Sequence, residues 1–197
     1  MKNNTSALVI VAHPDDETIW MGGTIANFPH IKWTIFTLCR KNDLDRAPKF
    51  KKVCRHLKAA PMMSDLEDEG IMGIPESVPE IEKRILKKFA DKKYTYLFTH
   101  GSNGEYGHPR HQGVHRAVQR LVQNKKIKCQ SLIFFAYRLN KQKRIINIPE
   151  KSADIIFRLN SARLKGKKNI IKNLYGFGQK SFENVSCLPT ETFTIYH

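Results

Sequence analysis

The chain has 197 residues and a formal net charge of +16 at neutral pH, a length that fits one α/β domain over residues 1–197. Its four cysteines are scattered without a C-x-x-C pair, which argues against a cysteine zinc site or a disulfide framework and predicts free buried thiols. The N-terminal apolar run covers only residues 7–12, too short for a signal-peptide core or a membrane span, so we expect a soluble cytoplasmic protein.

That apolar run predicts a buried strand, and it leads directly into AHPDDE at residues 12–17. In open α/β sheets, ligands bind just beyond the carboxyl ends of such strands. Pro14 disfavours helical backbone at His13, so the chain turns before a helix that runs to about residue 27. The three carboxylates then lie at the positive end of that helix, where helix capping is an alternative explanation for each of them. Capping does not explain the histidine.

The segments that follow alternate between strand-like and helix-like patterns. This alternation predicts an α/β, Rossmann-like three-layer fold with a mainly parallel sheet. No G-x-G-x-x-G follows the first strand, which disfavours a dinucleotide site. The predicted strands cover residues 32–39, 62–66, 94–99 and 131–136, and the predicted helices cover residues 48–58, 78–90 and a segment from 111. Weaker patterns predict strands at 145–149 and 190–196 and a basic helix at 153–175.

A second group of histidines follows the predicted strand at residues 94–99. The apolar spacing from residue 114 to 122 places His111 in the first turn of a helix. Because the carboxyl ends of parallel strands meet at one edge of the sheet, His13, Asp16 and His111 can come together there. Two imidazoles and one carboxylate, with a fourth position left to water, are typical of a catalytic zinc site.

The pair of motifs, AHPDDE at residues 12–17 and YGHPRH at residues 106–111, resembles the LmbE-like or PIG-L family of zinc-dependent N-acetylglucosaminide deacetylases. GGTI at residues 22–25 is similar to the segment that follows the first motif in that family. The resemblance implies a hydrolase that removes acetyl from an N-acetylglucosamine-type group on a glycoconjugate. It also implies Zn²⁺ as the cofactor, although Fe²⁺ or another divalent ion suits the same ligand types.

The resemblance assigns roles residue by residue. Asp15 matches the general base, which takes a proton from water that the zinc has acidified to a pKa of about 7. His108 and Tyr106 match residues that polarise the acetamide carbonyl. Arg46 matches a substrate contact, although Lys49 stands where the family often has glutamate. The implied metal ligands are His13, Asp16 and His111.

The remaining histidines and Glu17 have weaker patterns. Glu17 is expected to cap the helix or to orient a ligand. His115 lies one turn after His111 and is expected to be a structural or ligand-supporting residue. The histidines without a partner pattern, which we expect to be ordinary surface or core residues, are His30, His56, His100 and His197.

The excess of basic residues falls in clusters at residues 49–58, 83–93, 125–128 and 163–172. Such runs are usually solvated helix faces. The alternative is an anionic partner, such as an anionic N-acetylated amino sugar or the surface of an anionic membrane. No helix-turn-helix, RRM-type motif or zinc finger is present, so specific nucleic-acid binding is not expected.

Other functions stay open from the sequence alone. A basic polyanion- or nucleic-acid-binding protein on the same fold is one, and an amidase acting on a thiol conjugate is another. The identity of the glycoconjugate, the native metal and the oligomeric state are not predicted.

Overall fold

The computed structural model describes residues 5–140 and 147–197 of the chain. In chain order the strands are β1 (Ser6–Val11), β2 (Lys32–Cys39), β3 (Ala60–Leu66), β4 (Lys93–Thr99), β5 (Lys128–Phe135), β6 (Tyr137–Leu139), β7 (Asn147–Pro149), β8 (Ile155–Arg158) and β9 (Thr190–Ile195). The helices are α1 (Asp16–Asn27), α2 (Arg46–His56), α3 (Ile74–Phe89), α4 (Gly104–Gly107), α5 (Pro109–Gln123), α6 (Ser161–Asn169) and α7 (Phe182–Val185), and a π-helix (Ile170–Tyr175) directly follows α6. No helix in these ranges is both long and apolar enough to cross a membrane.

A seven-stranded sheet in the order β3-β2-β1-β4-β5-β9-β8 forms the centre of the fold. The strands from β3 to β5 in this order are parallel, whereas β9 joins β5 antiparallel and β8 joins β9 antiparallel. The strand order reverses at β1, which has β2 on one side and β4 on the other. The crevice beyond the carboxyl ends of the strands at such a reversal is the usual ligand site of an open α/β sheet.

Helices cover both faces of the sheet. The alternating side chains of β1 explain why all of residues 7–12 are fully buried, since one set packs into each of two cores. One core includes apolar residues of α1, α2 and the π-helix, and the other includes those of α3 and α5. These three layers with a mainly parallel sheet confirm the predicted fold class.

The C-terminal third differs from the sequence prediction. The predicted helix at 153–175 is wrong at its start, because residues 155–158 form the edge strand β8 on β9. The helix begins only after Asn160, whose side chain accepts a hydrogen bond from the N–H of Arg163 and caps it. Of the strand predicted at 145–149, residues 145 and 146 lie outside the described residues, and the rest forms β7 against β6.

Helix α1 bends in its middle, where it is hydrogen-bonded to the C-terminal part of the chain. Met21 leaves helical geometry with φ −148°. Glu191 of β9 then accepts hydrogen bonds from the N–H groups of Gly23 and Thr24, at 2.9 and 2.7 Å, as a new helix start requires. The same carboxylate binds Lys167 of α6 at 2.7 Å, and both side chains are buried. This buried pair fixes the helix that carries the first motif.

Candidate active site and metal centre

The first motif forms the turn from β1 into α1 at the carboxyl edge of the sheet. Asp15 precedes the helix with φ 114°, a strained value for a residue with a Cβ atom, and its side chain makes no capping hydrogen bond. The Oδ2 atom of Asp16 accepts a hydrogen bond from the N–H of His13 at 2.8 Å. Helix capping therefore does not explain the position of Asp15.

Three side-chain atoms from the two motifs face one another. Nδ1 of His13 lies 3.4 Å from Oδ2 of Asp16 and 3.3 Å from Nε2 of His111. The third side of this triangle, from Nε2 of His111 to Oδ2 of Asp16, is 3.4 Å. A tetrahedral zinc ion with bonds of about 2.0–2.2 Å separates its ligand atoms by about 3.3–3.6 Å. The donor types and their spacing thus fit a divalent cation, and we call these three atoms the donor triangle.

A carboxylate holds the second nitrogen of each donor imidazole. Nε2 of His13 lies 2.9 Å from Oδ1 of Asp68, and Nδ1 of His111 lies 2.6 Å from Oε2 of Glu105. Such a carboxylate keeps the ring proton on its own side and leaves the other nitrogen with a lone pair for a metal. Both rings of the donor triangle are therefore oriented as ligands.

His100 belongs to this network, so its prediction as an ordinary residue is wrong. It is fully buried, and its Nδ1 lies 2.8 Å from the same Oε2 atom of Glu105. Its Nε2 accepts a hydrogen bond from the N–H of Ala12 at 3.0 Å. His100 directly follows β4, as His13 closely follows β1, and this shared position at a strand end was the available signal.

Two other groups of side chains have metal-ligand spacing within the described residues. One combines His13 with Asp68 and His108, and the other combines His100 with Glu105 and His111. In the first, Nε2 of His13 is already bonded to the carboxylate of Asp68, and in the second both histidines are bonded to Glu105. In the donor triangle, the facing nitrogens of His13 and His111 are the ones that are not bonded to Asp68 or Glu105.

The ionisable groups of the site show an excess of negative charge. Burial lowers the pKa of His13, but hydrogen bonds to Asp16 and Asp68 outweigh burial and raise the pKa to about 10. Burial also acts to raise the pKa of Asp16, yet the charges of His111 and His100 hold it well below its usual range. The carboxylates thus favour a positive charge at the donor triangle, which a cation would supply.

Asp15 lies beside the donor triangle and has separate partners. Burial and the charge of Asp16 raise its pKa well above the usual value. Nη1 of Arg46 lies 3.5 Å from Oδ2 of Asp15, and the guanidinium stacks 4.3 Å from the ring centre of Phe177. Glu17 accepts a hydrogen bond from the N–H of Asp15 at 3.0 Å, so it supports the strained turn rather than a metal ligand. Burial raises the pKa of Glu17 to about 7.

His108 and Tyr106 form the wall beside His13 and His111. The rings of His13 and His108 lie 4.9 Å apart, and those of Tyr106 and His111 lie 5.4 Å apart. Burial, together with the charges of His111 and His13, lowers the pKa of His108 to about 4. Nδ1 of His108 accepts from the N–H of Arg110 at 3.2 Å, which places the single ring proton on Nε2. Burial raises the pKa of Tyr106, so its hydroxyl stays protonated.

A cavity of about 430 Å³ opens over these groups and brings together most of the residues that the sequence selected. His111 lies beneath it, fully buried. The cavity also includes residues that the sequence did not reveal, because they come from the loops after β2 and β3 and from α7. Its lining residues are His13, Pro14, Asp15, Asp16, Ile19, Arg40, Asp43, Arg46, Asp68, Tyr106, His108, Phe182 and Glu183.

The remaining histidines fall outside the cavity lining. His115 is buried, and its Nδ1 lies 2.9 Å from the carbonyl oxygen of His100, in agreement with a structural role. His30, His56 and His197 are exposed.

Comparison with known proteins adds two kinds of similarity. The PIG-L family model, described as GlcNAc-PI de-N-acetylase, matches residues 8–122, which include both motifs. No protein with a curated description matches the chain significantly in sequence.

Solved structures are similar over nearly the whole chain at low identity. The N,N'-diacetylchitobiose deacetylase from Pyrococcus horikoshii is 15% identical with a TM-score of 0.70, covering 99% of this chain and 85% of its own. The conserved protein TT1542 from Thermus thermophilus is 16% identical with a TM-score of 0.69, covering 95% and 93%. The 4-carboxy-2-hydroxymuconate hydratase GalB from Pseudomonas putida is 12% identical with a TM-score of 0.67, covering 98% and 96%. These three likenesses show a shared fold.

The family match extends over more than half of the chain and includes all three residues of the donor triangle. The chain belongs to the PIG-L family, the GlcNAc-PI de-N-acetylase family.

Proposed function

We propose that this protein is a metal-dependent hydrolase that removes the acetyl group from an N-acetylglucosamine-type substrate. The observation that carries the proposal is the donor triangle with the free carboxylate of Asp15 beside it, in a chain of this family. The fold alone is insufficient support, because a hydratase has a similar fold.

The donor triangle would hold the cation. A bound Zn²⁺, or another divalent ion, supplies Lewis-acid polarisation of the acetamide carbonyl and makes water more acidic. The residues that would hold it are His13, Asp16 and His111.

Asp15 is the proposed proton carrier. Its carboxylate takes a proton from the attacking water while the water oxygen bonds to the acetamide carbon. When the C–N bond breaks, the same carboxyl group returns that proton to the leaving nitrogen, so the products are acetate and a free amine. Burial and the charge of Asp16 raise the pKa of Asp15, which makes its carboxylate a stronger proton acceptor.

His108 and Tyr106 are proposed to stabilise the negative charge that develops on the carbonyl oxygen. His108 is neutral and carries its proton on Nε2, and Tyr106 keeps its hydroxyl proton, so both side chains can donate. Removing one such donor typically lowers the rate about 10²- to 10³-fold. Arg46 is positioned by Asp15 and Phe177 at the cavity wall, where it would contact the sugar.

Metal analysis together with the Asp15→Asn variant tests this proposal. We expect about one divalent ion per chain, detected by mass spectrometry, and acetate release from N-acetylglucosamine conjugates. Asp15→Asn should keep the ion and lose hydrolysis about 10²- to 10⁴-fold, because Asn cannot carry the proton. Asp45→Asn is the matched control, since Asp45 is an exposed carboxylate of the same edge paired with Lys49. A wild-type chain that binds no divalent metal, or an active Asp15→Asn variant, contradicts the proposal.

A further inference from the structure

The cavity of the candidate active site has a local charge opposite to that of the whole molecule. Whereas the chain has a net charge of +16, the cavity lining contains no lysine. It has two guanidinium groups, Arg40 and Arg46, against five carboxylates. The carboxylates are those of Asp15, Asp16, Asp43, Asp68 and Glu183. Carboxylates outnumber guanidinium groups in this lining by three, and a divalent cation at the donor triangle would offset two of these charges.

Both arginines of the lining are already paired. Arg40 binds Asp68 at 2.9 Å and Glu69 at 3.7 Å. Arg46 lies 3.5 Å from Asp15 and stacks on Phe177. Neither guanidinium is therefore an open site for an anionic group of a substrate.

Two carboxylates of the lining form no ion pair within the described residues, although backbone hydrogen bonds and the charges of Arg40 and Arg46 together lower the pKa of one of them, Asp43. Asp43, in the loop before α2, accepts hydrogen bonds only from the backbone N–H groups of Asp45 and Arg46 within the described residues. Glu183, on α7, has no hydrogen-bond or ion-pair partner for its side chain in residues 5–140 and 147–197. Both line the cavity and are only partly exposed.

Phe182 directly precedes Glu183 in the chain, and both side chains line the cavity. Phe182 packs edge-to-face on Tyr106, with ring centres 4.8 Å apart, and itself lines the cavity. An aromatic face beside a free carboxylate is a combination that attracts a cationic group through both charge and the π-system. Glu183 and Phe182 would therefore favour a cationic group of a ligand over a phosphate or carboxylate group.

We propose that this cavity selects an N-acetylated saccharide that also carries a positively charged group, such as a free amine on a neighbouring sugar, and that Glu183 recognises this charge. The inference rests on the proposed function for the acetyl group, but the charge preference itself does not require turnover. It runs opposite to the anionic substrate that the net charge of the sequence suggests.

Binding of two amide-free disaccharides tests the charge preference separately from hydrolysis. Chitosan disaccharide carries two free amines, and cellobiose has the same linkage with hydroxyls in their place. At low ionic strength, we expect the metal-loaded protein to bind chitosan disaccharide about two- to fivefold more tightly than cellobiose. The difference between the two affinities should shrink as salt is added. Isothermal titration of each disaccharide measures this ratio.

Variants of Glu183 and of a carboxylate remote from the cavity test whether Glu183 causes the charge preference. Glu183→Gln should remove most of the preference and Glu183→Lys should reverse it, while Asp91→Asn, an exposed change at the other edge of the sheet, should leave it intact. A ratio near one in the wild type, or an unchanged ratio in Glu183→Gln, overturns the inference. If the amine preference holds but no N-acetyl sugar releases acetate, the proposed function fails and the charge inference stands.

The same preference should appear in turnover. A disaccharide that joins glucosamine to N-acetylglucosamine should show a higher kcat/KM than N-acetylglucosamine 6-phosphate, and Glu183→Gln should narrow the difference. A faster reaction with the phosphate in the wild type contradicts the inference while supporting deacetylation.

Discussion

At the residue scale, the orientation of Asp16 depends on an aromatic side chain one turn away. The indole N–H of Trp20 donates to Oδ1 of Asp16 at 3.1 Å, while Oδ2 faces the two imidazoles of the donor triangle. Trp20 is fully buried and is held by Tyr137, whose hydroxyl donates to its carbonyl oxygen at 2.7 Å. Groups that orient a ligand in this way typically contribute about 10- to 100-fold to metal affinity.

Replacing Trp20 by Phe should therefore weaken metal binding about 10-fold or more. The change keeps an aromatic ring but removes the hydrogen bond to Asp16. Competition with a chelator of known affinity measures the loss. Trp33→Phe is a close control, since Trp33 is also buried but its indole N–H donates to the carbonyl of Phe28, away from the site. Equal metal affinity in the two variants would show that Trp20 does not orient Asp16.

Glu17 differs from Trp20 in its role, because its carboxylate binds the backbone of Asp15 rather than a proposed metal ligand. Its Oε2 atom accepts from the N–H of Asp15, and its Oε1 atom accepts from the hydroxyls of Thr18 and Tyr175, at 2.6 and 2.7 Å. Glu17→Ala should lower kcat while metal content is retained, since the strained turn at Asp15 loses its support. Glu17→Gln keeps an acceptor for that N–H and should restore most of kcat. Parallel loss of metal and kcat in Glu17→Ala would instead indicate a role in metal binding.

The sequence revealed the two motifs but only part of the site. His13, Asp16 and His111 stand in short patterns whose spacing can be recognised in a single chain. Asp68 and Glu105 were not recognised, because no local pattern marks them: only the tertiary structure brings their carboxylates within hydrogen-bond reach of a ring nitrogen. His100 was misjudged for the same reason.

At the element scale, helix α1 is the part of the fold that connects the site to the rest of the molecule. Its first half carries the motif, and its second half begins at the buried pair of Glu191 and Lys167. Removing one partner of a buried ion pair leaves an uncompensated charge, which typically costs about 3–5 kcal/mol.

Lys167→Met should therefore lower the free energy of unfolding by about 3 kcal/mol, measured by urea denaturation. Adding Glu191→Gln should recover part of that loss, since the buried carboxylate is then neutral. Lys165→Met is the control, because Lys165 lies on the same helix and is exposed. A loss of the same size in Lys165→Met would argue against the ion pair as its cause.

The regular elements around β1 to β5 were predictable, whereas of those after β5 the sequence indicated the strand at 190–195 and part of the helix, but not β8. A parallel strand buried on both faces gives a continuous apolar run, which the printed sequence shows at residues 7–12. Strand β8 has four residues with largely exposed side chains, so its pairing with β9 decides its structure and no local pattern does. The π-helix likewise continues a helical pattern and differs only in its hydrogen bonding.

At the scale of the whole molecule, part of the positive charge lies at the edge of the sheet opposite the site. Lys32, Lys93 and Lys128 begin β2, β4 and β5 at their amino ends, and Lys93 faces Lys128 across neighbouring strands. The net charge is therefore a poor guide to the cavity, whose lining is negative. The net charge of a sequence does not say where the charged side chains lie in the fold. The sequence therefore could not predict the electrostatic potential in the cavity.

Neutralising Lys92, Lys93 and Lys128 together with Gln should lower the salt concentration at which the protein elutes from a heparin column, because fewer counterions are then released on binding. Deacetylation should be unaffected, since these residues are remote from the cavity. The control removes three exposed lysines from scattered positions, Lys151, Lys165 and Lys180. Equal shifts in both triple variants would show that only net charge matters.

The two imidazoles of the donor triangle lie 98 residues apart in the chain. A cation held between them would act as a reversible cross-link that joins the first strand to the fifth helix and spans about half of the polypeptide. Such a link forbids most of the arrangements open to the unfolded chain, and the entropy it removes grows with the logarithm of the loop it closes. A cation that serves the proposed reaction would thus also stabilise the fold, by linking the turn after β1 to α5.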